Sequence, residues 1–385
     1  MQIITATTDL AEFCGRASGH EFVTVDTEFL RETTYWPKLC LIQAATLDEA
    51  VLIDPLANGL DLDPFAKLLA DDTTLKVFHA ARQDIEIFVK LTGRVPHPIF
   101  DTQIAASVCG YGDSASYDSL VRAIVGVQID KSSRFTDWSA RPLSAKQMDY
   151  ALADVTHLRD VYAALRKQIA TNRRADWVAD EMATLESVDT YITKPEDAHK
   201  RLKMKVTRAR DLAALHALAA WREQRAQTLD QPRGRVLKDD AIQELALQRP
   251  LTPDAFEKLR AVPRGFGRSS AAAEIIEILR QVEDLPKSRL PELPPRHRGP
   301  SPKGAVGDLL RVLLKAVAEQ HGVAARIIAT SDDIDAIVLD DEADVPALKG
   351  WRGKLFGQKA LAIKHGRIAL AATDGGIIEV PVSGS

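Results

Sequence analysis

Hydrophobic and polar positions follow two different rhythms along this 385-residue chain. Up to about residue 165, short apolar runs alternate with amphipathic stretches. "EFVTVDTEF", "LCLIQAAT" and "AVLID" are rich in Val, Ile and Leu over strand lengths and predict three successive strands. "DPFAKLLAD" predicts a short helix and "LKVFHA" a fourth strand. "RQDIEIFVKL" predicts a helix with Ile85, Phe88 and Val89 on one face. "DTQIAASVCG" opens another helix with Asp101 as its N-cap. Ser144 and Gln147 form a capping-box start to a long helix running to about Ala170. Strands first and strand–helix alternation afterwards predict an α/β domain, a mixed sheet packed by helices.

Beyond residue 170 the strand rhythm almost vanishes. Residues 171–205 read as a charged helical connector. Residues 206–284 read as all-α, with helices in "TRARDLAALHALAAWREQRAQTL", "KDDAIQELALQ", "TPDAFEKLRAV" and "SSAAAEIIEILRQVE". Residues 285–304 carry six of the chain's 19 prolines, which fix φ and remove donors, so an extended linker is expected. Residues 305–385 form a last small module. It opens on the apolar helix "VGDLLRVLLKAVAEQH" and ends in the alternating, strand-like "KALAIKHGRIALAATDGGIIEV".

Composition changes this picture little. The chain is 45% hydrophobic and 27% charged, ordinary for a globular protein, with a net charge of −4. The average hides a local excess: between Arg201 and Arg235 stand nine basic and three acidic residues. Such a run is either a solvated helical face or a source of sequence-independent phosphate affinity. Three cysteines (Cys14, Cys40, Cys109), with no CxxC, fit a reducing compartment. No apolar run reaches the roughly 18 residues of a membrane helix, and the first residues lack a signal peptide's basic and apolar regions. A cytoplasmic protein with no membrane partner is expected.

The candidate chemistry lies in four acids and a tyrosine. On a strand, Asp26 and Glu28 share a face, with Val23, Val25 and Phe29 on the other. Unpaired buried carboxylates are costly, and a divalent cation would satisfy both; solvated charges at a strand end are the plainer alternative. Asp84 falls in the first turn of a helix, where an acid also complements the helix dipole. Tyr150 and Asp154, four apart, share a helical face, as residues of any amphipathic helix do.

Taken together, the pattern is more specific. A strand D-x-E, an Asp about 56 residues on, and Y-x-x-x-D about 66 residues later resemble the DEDD superfamily of 3′–5′ exonucleases in its tyrosine branch. The histidine branch would place His where Asp149 stands, and His157 fits neither pattern. "DTEFLRETTYWPKLCLIQ", "LIDPL", "FHAARQDIEIF", "DTQIAA" and "DKSSRFTDWSARPLSAKQMDYALADV" are similar, in order, to the ribonuclease D family over nearly all of residues 1–170. "WREQRAQTLDQPRGRVLKDDAIQELALQRP" resembles the HRDC domain, an all-α nucleic-acid-binding module. Ribonuclease D usually carries two, and residues 305–385 occupy the second's position in divergent form.

The resemblance implies an RNase-H-like exonuclease fold followed by HRDC-like helical domains. It implies hydrolysis of RNA from its 3′ end to nucleoside 5′-monophosphates, with tRNA precursors or other structured 3′ ends as substrate. No required protein partner is evident. It also implies two divalent cations. Carboxylate ligands favour Mg²⁺ or Mn²⁺, and no Cys/His cluster accompanies them to favour zinc. By resemblance, Asp26 bridges the two ions, Glu28 and Asp154 complete the site of the attacking water, Asp84 serves the other ion, and Tyr150 orients the water. With an unperturbed pKa near ~10, a tyrosine suits orientation better than proton abstraction.

A second tier concerns the RNA itself. Phe29 and Leu30 either wedge against a terminal base or pack in the core. His79 either faces a phosphate channel or ends a strand. Lys131, Arg134 and Arg141 flank Trp138 in a loop that either contacts the RNA backbone or is merely solvated. A DNA exonuclease and a non-catalytic nucleic-acid binder are the competing functions. A helicase is disfavoured, since no G-x-x-x-x-G-K-[ST] loop occurs.

Overall fold

The computed structural model describes residues 3–204, 206–293 and 304–382. Lys205 of the basic run and residues 294–303 of the proline-rich segment lie outside the described residues. The N-terminal strands are Ile3–Ile4 (β1), Phe22–Leu30 (β2), Lys38–Ala45 (β3), Ala50–Ile53 (β4), Leu75–Phe78 (β5) and Ile99–Asp101 (β6). The helices among them are Thr7–Ala17 (α1), Asp63–Leu69 (α2), Arg82–Thr92 (α3), Thr102–Val108 (α4), Tyr117–Ile124 (α5) and Ala145–Asn172 (α6). The strands form one mixed sheet in the order β1-β4-β3-β2-β5-β6. β2, β3 and β4 form an antiparallel meander; β5 and β6 add in parallel beside β2.

The alternation in β2 decides what lies on each side. Val23 and Val25 are fully buried in a core with Phe13, Phe65 and Phe88 from α1, α2 and α3. The other face carries Thr24, whose hydroxyl donates to the Val155 carbonyl of α6 at 2.8 Å. The long helix therefore crosses the face that bears Asp26 and Glu28. It starts with the expected capping box at Ser144 and Gln147.

The connector is not a free charged helix. One short helix, Ala175–Met182 (α7), is followed by 3-10 turns, and Val178, Met182, Leu185 and Tyr191 are buried in the sheet domain's core. The helical region comprises Ala209–Thr228 (α8), Arg233–Val236 (α9), Asp239–Gln248 (α10), Pro253–Phe256 (α11) and Ser270–Glu283 (α12), around its own apolar core. The start of the proline-rich stretch is packed, not extended: Leu285 and Leu290 lie against that core.

The last module holds Ala305–His321 (α13), Ala325–Ile328 (α14), Ser331–Leu339 (α15), Gly350–Arg352 (α16) and Gln358–Lys364 (α17), ending in a hairpin of Ile368–Thr373 (β7) and Gly376–Pro381 (β8). The strand-like reading holds for the hairpin. It fails for "KALAIK", which is helical because Ala360 and Ile363 bury against α13's apolar face.

The two helical bodies repeat one order of elements. Each has a long helix, a one-turn helix and a helix of about ten residues. The joint before the third element matches: Leu237 (φ −165°, ψ 135°) in one body and Ala329 (φ −155°, ψ 142°) in the other. Buried Ile242 and Leu245 correspond to buried Ile334 and Ile337.

Candidate active site

One cavity of about 400 Å³ gathers Asp26, Glu28, Asp84, Tyr150 and Asp154. The first two come from β2, where Asp26 pairs with Gln43 and Glu28 with Leu41 across the ladder. Register then slips between Glu28 and Phe29. A bulge re-aims the residues after it, and Phe29, expected on the face opposite the acids, lines the same cavity as they do, as does Thr27.

Asp84 reaches the site from the first turn of α3 and accepts a short hydrogen bond from the Thr27 hydroxyl. The turn before α3 is held from below. Asp101 accepts from the amides of Ala80 (3.0 Å) and Ala81 (2.9 Å) as well as from Gln103 in its own helix (2.8 Å). Ala80 sits at φ 56°, a left-handed conformation that costs a non-glycine residue energy and needs such a clamp. Tyr150 and Asp154 descend from α6, and Tyr150 packs its ring near Trp138, centroids 6.1 Å apart.

Electrostatics set these acids apart from the rest of the chain. Among the described residues, none of the four forms an ion pair, although the chain has many elsewhere. Burial, then the Asp154 charge, raises Asp26 well above the usual carboxylate range. Burial, then Asp26, Asp154 and Asp84, pushes Glu28 up to about 10. Asp84 is raised by burial and Asp26. Asp154 is raised by burial, while Tyr150 and Arg134 draw it back down. Crowded carboxylates that form no ion pair among the described residues make a donor set of hard oxygens that fits a divalent cation. Among the described residues no three acid, histidine or cysteine side chains converge on a single ligand point; the acids line one cavity and repel one another across it.

The second tier divides. Phe29, His79, Lys131 and Arg134 line the cavity. His79 bonds Thr102 Oγ1 at 3.0 Å, and burial pushes its imidazole down. Lys131 is tied to Asp118 at 2.6 Å. Leu30, Trp138 and Arg141 do not reach the cavity. Leu30 and Trp138 belong to a small core with Cys40, Leu41 and Leu143, where Trp138 is 2% exposed. Arg141 grips Asp54 through two 2.7 Å bonds and donates to the Cys40 and Trp138 carbonyls. Trp138 and Arg141 thus pack the loop onto the sheet domain rather than into the cavity.

Sequence reasoning missed Phe135. It is 90% exposed, lies at the cavity, and has the Arg134 guanidinium 5.2 Å from its ring. An aromatic inside the otherwise polar "KSSRFTD" was the available signal. Gln43, fully buried opposite Asp26 with its amide unpaired among the described residues, carried no sequence signal.

The comparisons with known proteins agree with this geometry. A 3′–5′ exonuclease family profile matches residues 1–170 and an HRDC domain profile matches residues 211–279. Fold and matching profiles define a 3′–5′ exonuclease carrying an appended HRDC domain. The chain is 51% identical to ribonuclease D of Nitrobacter hamburgensis, covering 99% of both chains. It is 46% identical to that of Bartonella henselae, over 98% of this chain and 93% of the relative. The crystal structure of Escherichia coli RNase D, described as an exoribonuclease involved in structured RNA processing, superposes with a TM-score of 0.83 at 28% identity, covering 95% of this chain and 98% of that one. The chain belongs to the ribonuclease D family and is a 3′–5′ exoribonuclease. Exonucleases of this superfamily depend on divalent metal. Among the described residues no helix is long and apolar enough to cross a membrane.

Proposed function

We propose that Asp26, Glu28, Asp84 and Asp154 hold two divalent cations, Mg²⁺ or Mn²⁺, and that Tyr150 orients the attacking water. The observation that carries this is the single cavity in which four acids meet, Asp84 and Asp154 buried and Asp26 and Glu28 half-buried, with no ion-pair partner among the described residues. Bound ions supply an acidified water and stabilise the leaving oxygen. Burial, then the charge of Asp154, raises the Tyr150 phenol far above its ordinary pKa, so it stays protonated. It acts as a hydrogen-bond donor and orienter, not as a base. Arg134, whose charge acts on Glu28, Tyr150 and Asp154, meets the phosphate at the cavity mouth. Phe29 and Phe135 offer faces on which any base can stack, as an exonuclease without sequence preference requires.

The natural substrate in this reading is a structured RNA 3′ end, tRNA precursors among them, trimmed in the cytoplasm. The E. coli relative's role in structured RNA processing and the appended HRDC module support it. The reading also divides the chain into an exonuclease domain (1–170), a connector (171–205), an HRDC-like domain (206–284), a linker (285–304) and a second, divergent HRDC-like module (305–385). The repeated element order supports the last assignment.

The test is incubation of 3′-labelled and 5′-labelled precursor tRNA with the purified protein, with and without EDTA. Stepwise loss of 3′ label, abolished by EDTA and by Asp26→Ala or Asp154→Ala in folded variants, is expected. Undiminished cleavage by either variant contradicts the assignment.

A further inference from the structure

Two further cavities continue from the active site along the surface. The first, about 540 Å³, shares Gln83 with the catalytic cavity and lies where β2, α3, the connector and α9 meet. Arg31, Arg82, Arg201 and Arg233 line it. The second, about 480 Å³, shares Arg201 and Arg233 with the first and adds Arg222 and Lys238 of the helical domain. Together they form a basic path leading from the acids to the HRDC-like body.

Not all of this charge is available. Arg31 is bound to Glu86 by two 2.8 Å bonds. Arg233 is bound to Glu223, with its guanidinium 4.7 Å from the Tyr35 ring. Arg222 is bound to Asp239 at 2.7 Å and to the Leu237 carbonyl at 2.9 Å. These pairs build the walls. Arg82 and Arg201 differ. Arg82 donates only to the Thr190 carbonyl at 3.1 Å, and among the described residues neither arginine forms an ion pair. Both are exposed to solvent at the cleft.

We propose that this cleft is a phosphate-binding subsite for the RNA strand upstream of its 3′ end, with Arg82 and Arg201 as its anion contacts. The proposal rests on the reading of the acid cavity as the hydrolytic centre. Its chemistry is that of consecutive phosphodiesters. A guanidinium presents a planar donor fork to two phosphate oxygens, and two unpaired forks in one cleft suit a backbone, not a base. Arg82 stands two residues before Asp84 on α3, so one helix would hold the upstream phosphate and deliver a catalytic acid. Arg201 sits on the connector, so a bound strand would bridge the exonuclease domain to the helical domain.

The experiment measures binding of a single-stranded oligoribonucleotide, long enough to span both cavities, to the full chain in EDTA. Salt is varied between about 50 and 200 mM. For the Arg82→Ala/Arg201→Ala double variant, affinity is expected to fall about tenfold. The slope of log K against log salt should shrink by about 1.4, since each single-strand phosphate contact contributes about 0.7. Arg82→Lys/Arg201→Lys keeps the charges and should keep the slope, which separates loss of charge from loss of the Thr190 bond. A double alanine variant with the parental affinity, or with weaker binding at an unchanged slope, overturns the proposal. Binding is read without hydrolysis, so that failure would leave the catalytic reading standing. Failure of the cleavage assay would leave the binding result interpretable.

Discussion

Asp101 accepts three backbone N–H bonds, and through Ala80 and Ala81 it decides where Asp84 stands. The sequence reveals only the local part of this, the N-cap of α4. The bonds to Ala80 and Ala81 join segments about 20 residues apart, and no local pattern encodes them. Replacing Asp101 by Ala removes three charge-assisted bonds from a buried position and is expected to cost about 2–4 kcal/mol in urea unfolding. Asp101 is a positioning residue, so kcat on RNA should fall in the folded variant while KM holds, with Asp101→Asn intermediate. Parental kcat in Asp101→Ala would exclude the role. The four acids and Tyr150 were legible as a set because family spacing compresses the fold into sequence. Phe135 and Trp138, three residues apart, show the opposite. One is 90% exposed and the other 2%, and nothing in residue type distinguishes them.

At the scale of elements, α6 and the loop before it build one wall of the site. The helix was legible from its capping box and periodicity, and its four-residue step places Tyr150 and Asp154 on one face. The loop was legible only as a basic, aromatic stretch; Lys131 and Arg134 line the cavity, whereas Arg141 does not. Arg141 turns inward because the Asp54 carboxylate at the end of β4 and the Cys40 carbonyl of β3 lie beneath it. Arg141→Ala strands Asp54, whose side chain is 10% exposed, without its partner. A loss of about 2–4 kcal/mol in stability is expected from breaking a largely buried pair. The salt slope of RNA binding should stay as it is. An altered slope with unchanged unfolding would return Arg141 to the RNA interface.

Across the whole molecule, the C-terminal body is fastened to the exonuclease domain by a specific joint. Trp177 of α7 and Trp351 of α16 stack at 4.2 Å with planes 7° apart, capped by Arg174 and Arg352 at 5.1 and 4.5 Å from the rings. Beside them, the Ala324 amide donates to Ser107 at 3.0 Å. Gly110, at φ 91°, lies so close to Gly322 that an added Cβ would stand 2.7 Å from its carbonyl oxygen. Stacked aromatics and flanking cations contribute about 0.5–1.5 kcal/mol each beyond area. Trp351→Ala is therefore expected to uncouple the C-terminal body, visible in calorimetry as a separate, earlier transition. A single unshifted transition would show that the stack does not hold the joint.

The sequence by itself determined most strands and helices of the first domain, the candidate acid set and the family resemblance, because periodicity, capping and motif spacing can be read along the chain. Only the tertiary structure decided which aromatic and which arginines are free. It also decided that the connector is packed on the sheet domain's core and that Arg210, Arg222, Arg225 and Arg233 of the basic run between Arg201 and Arg235 are held in internal ion pairs. The physical reason is that a side chain's availability depends on partners far away in sequence. Arg141 finds Asp54 87 residues away, Arg233 finds Tyr35 198 residues away, and among the described residues Arg82 finds only a carbonyl.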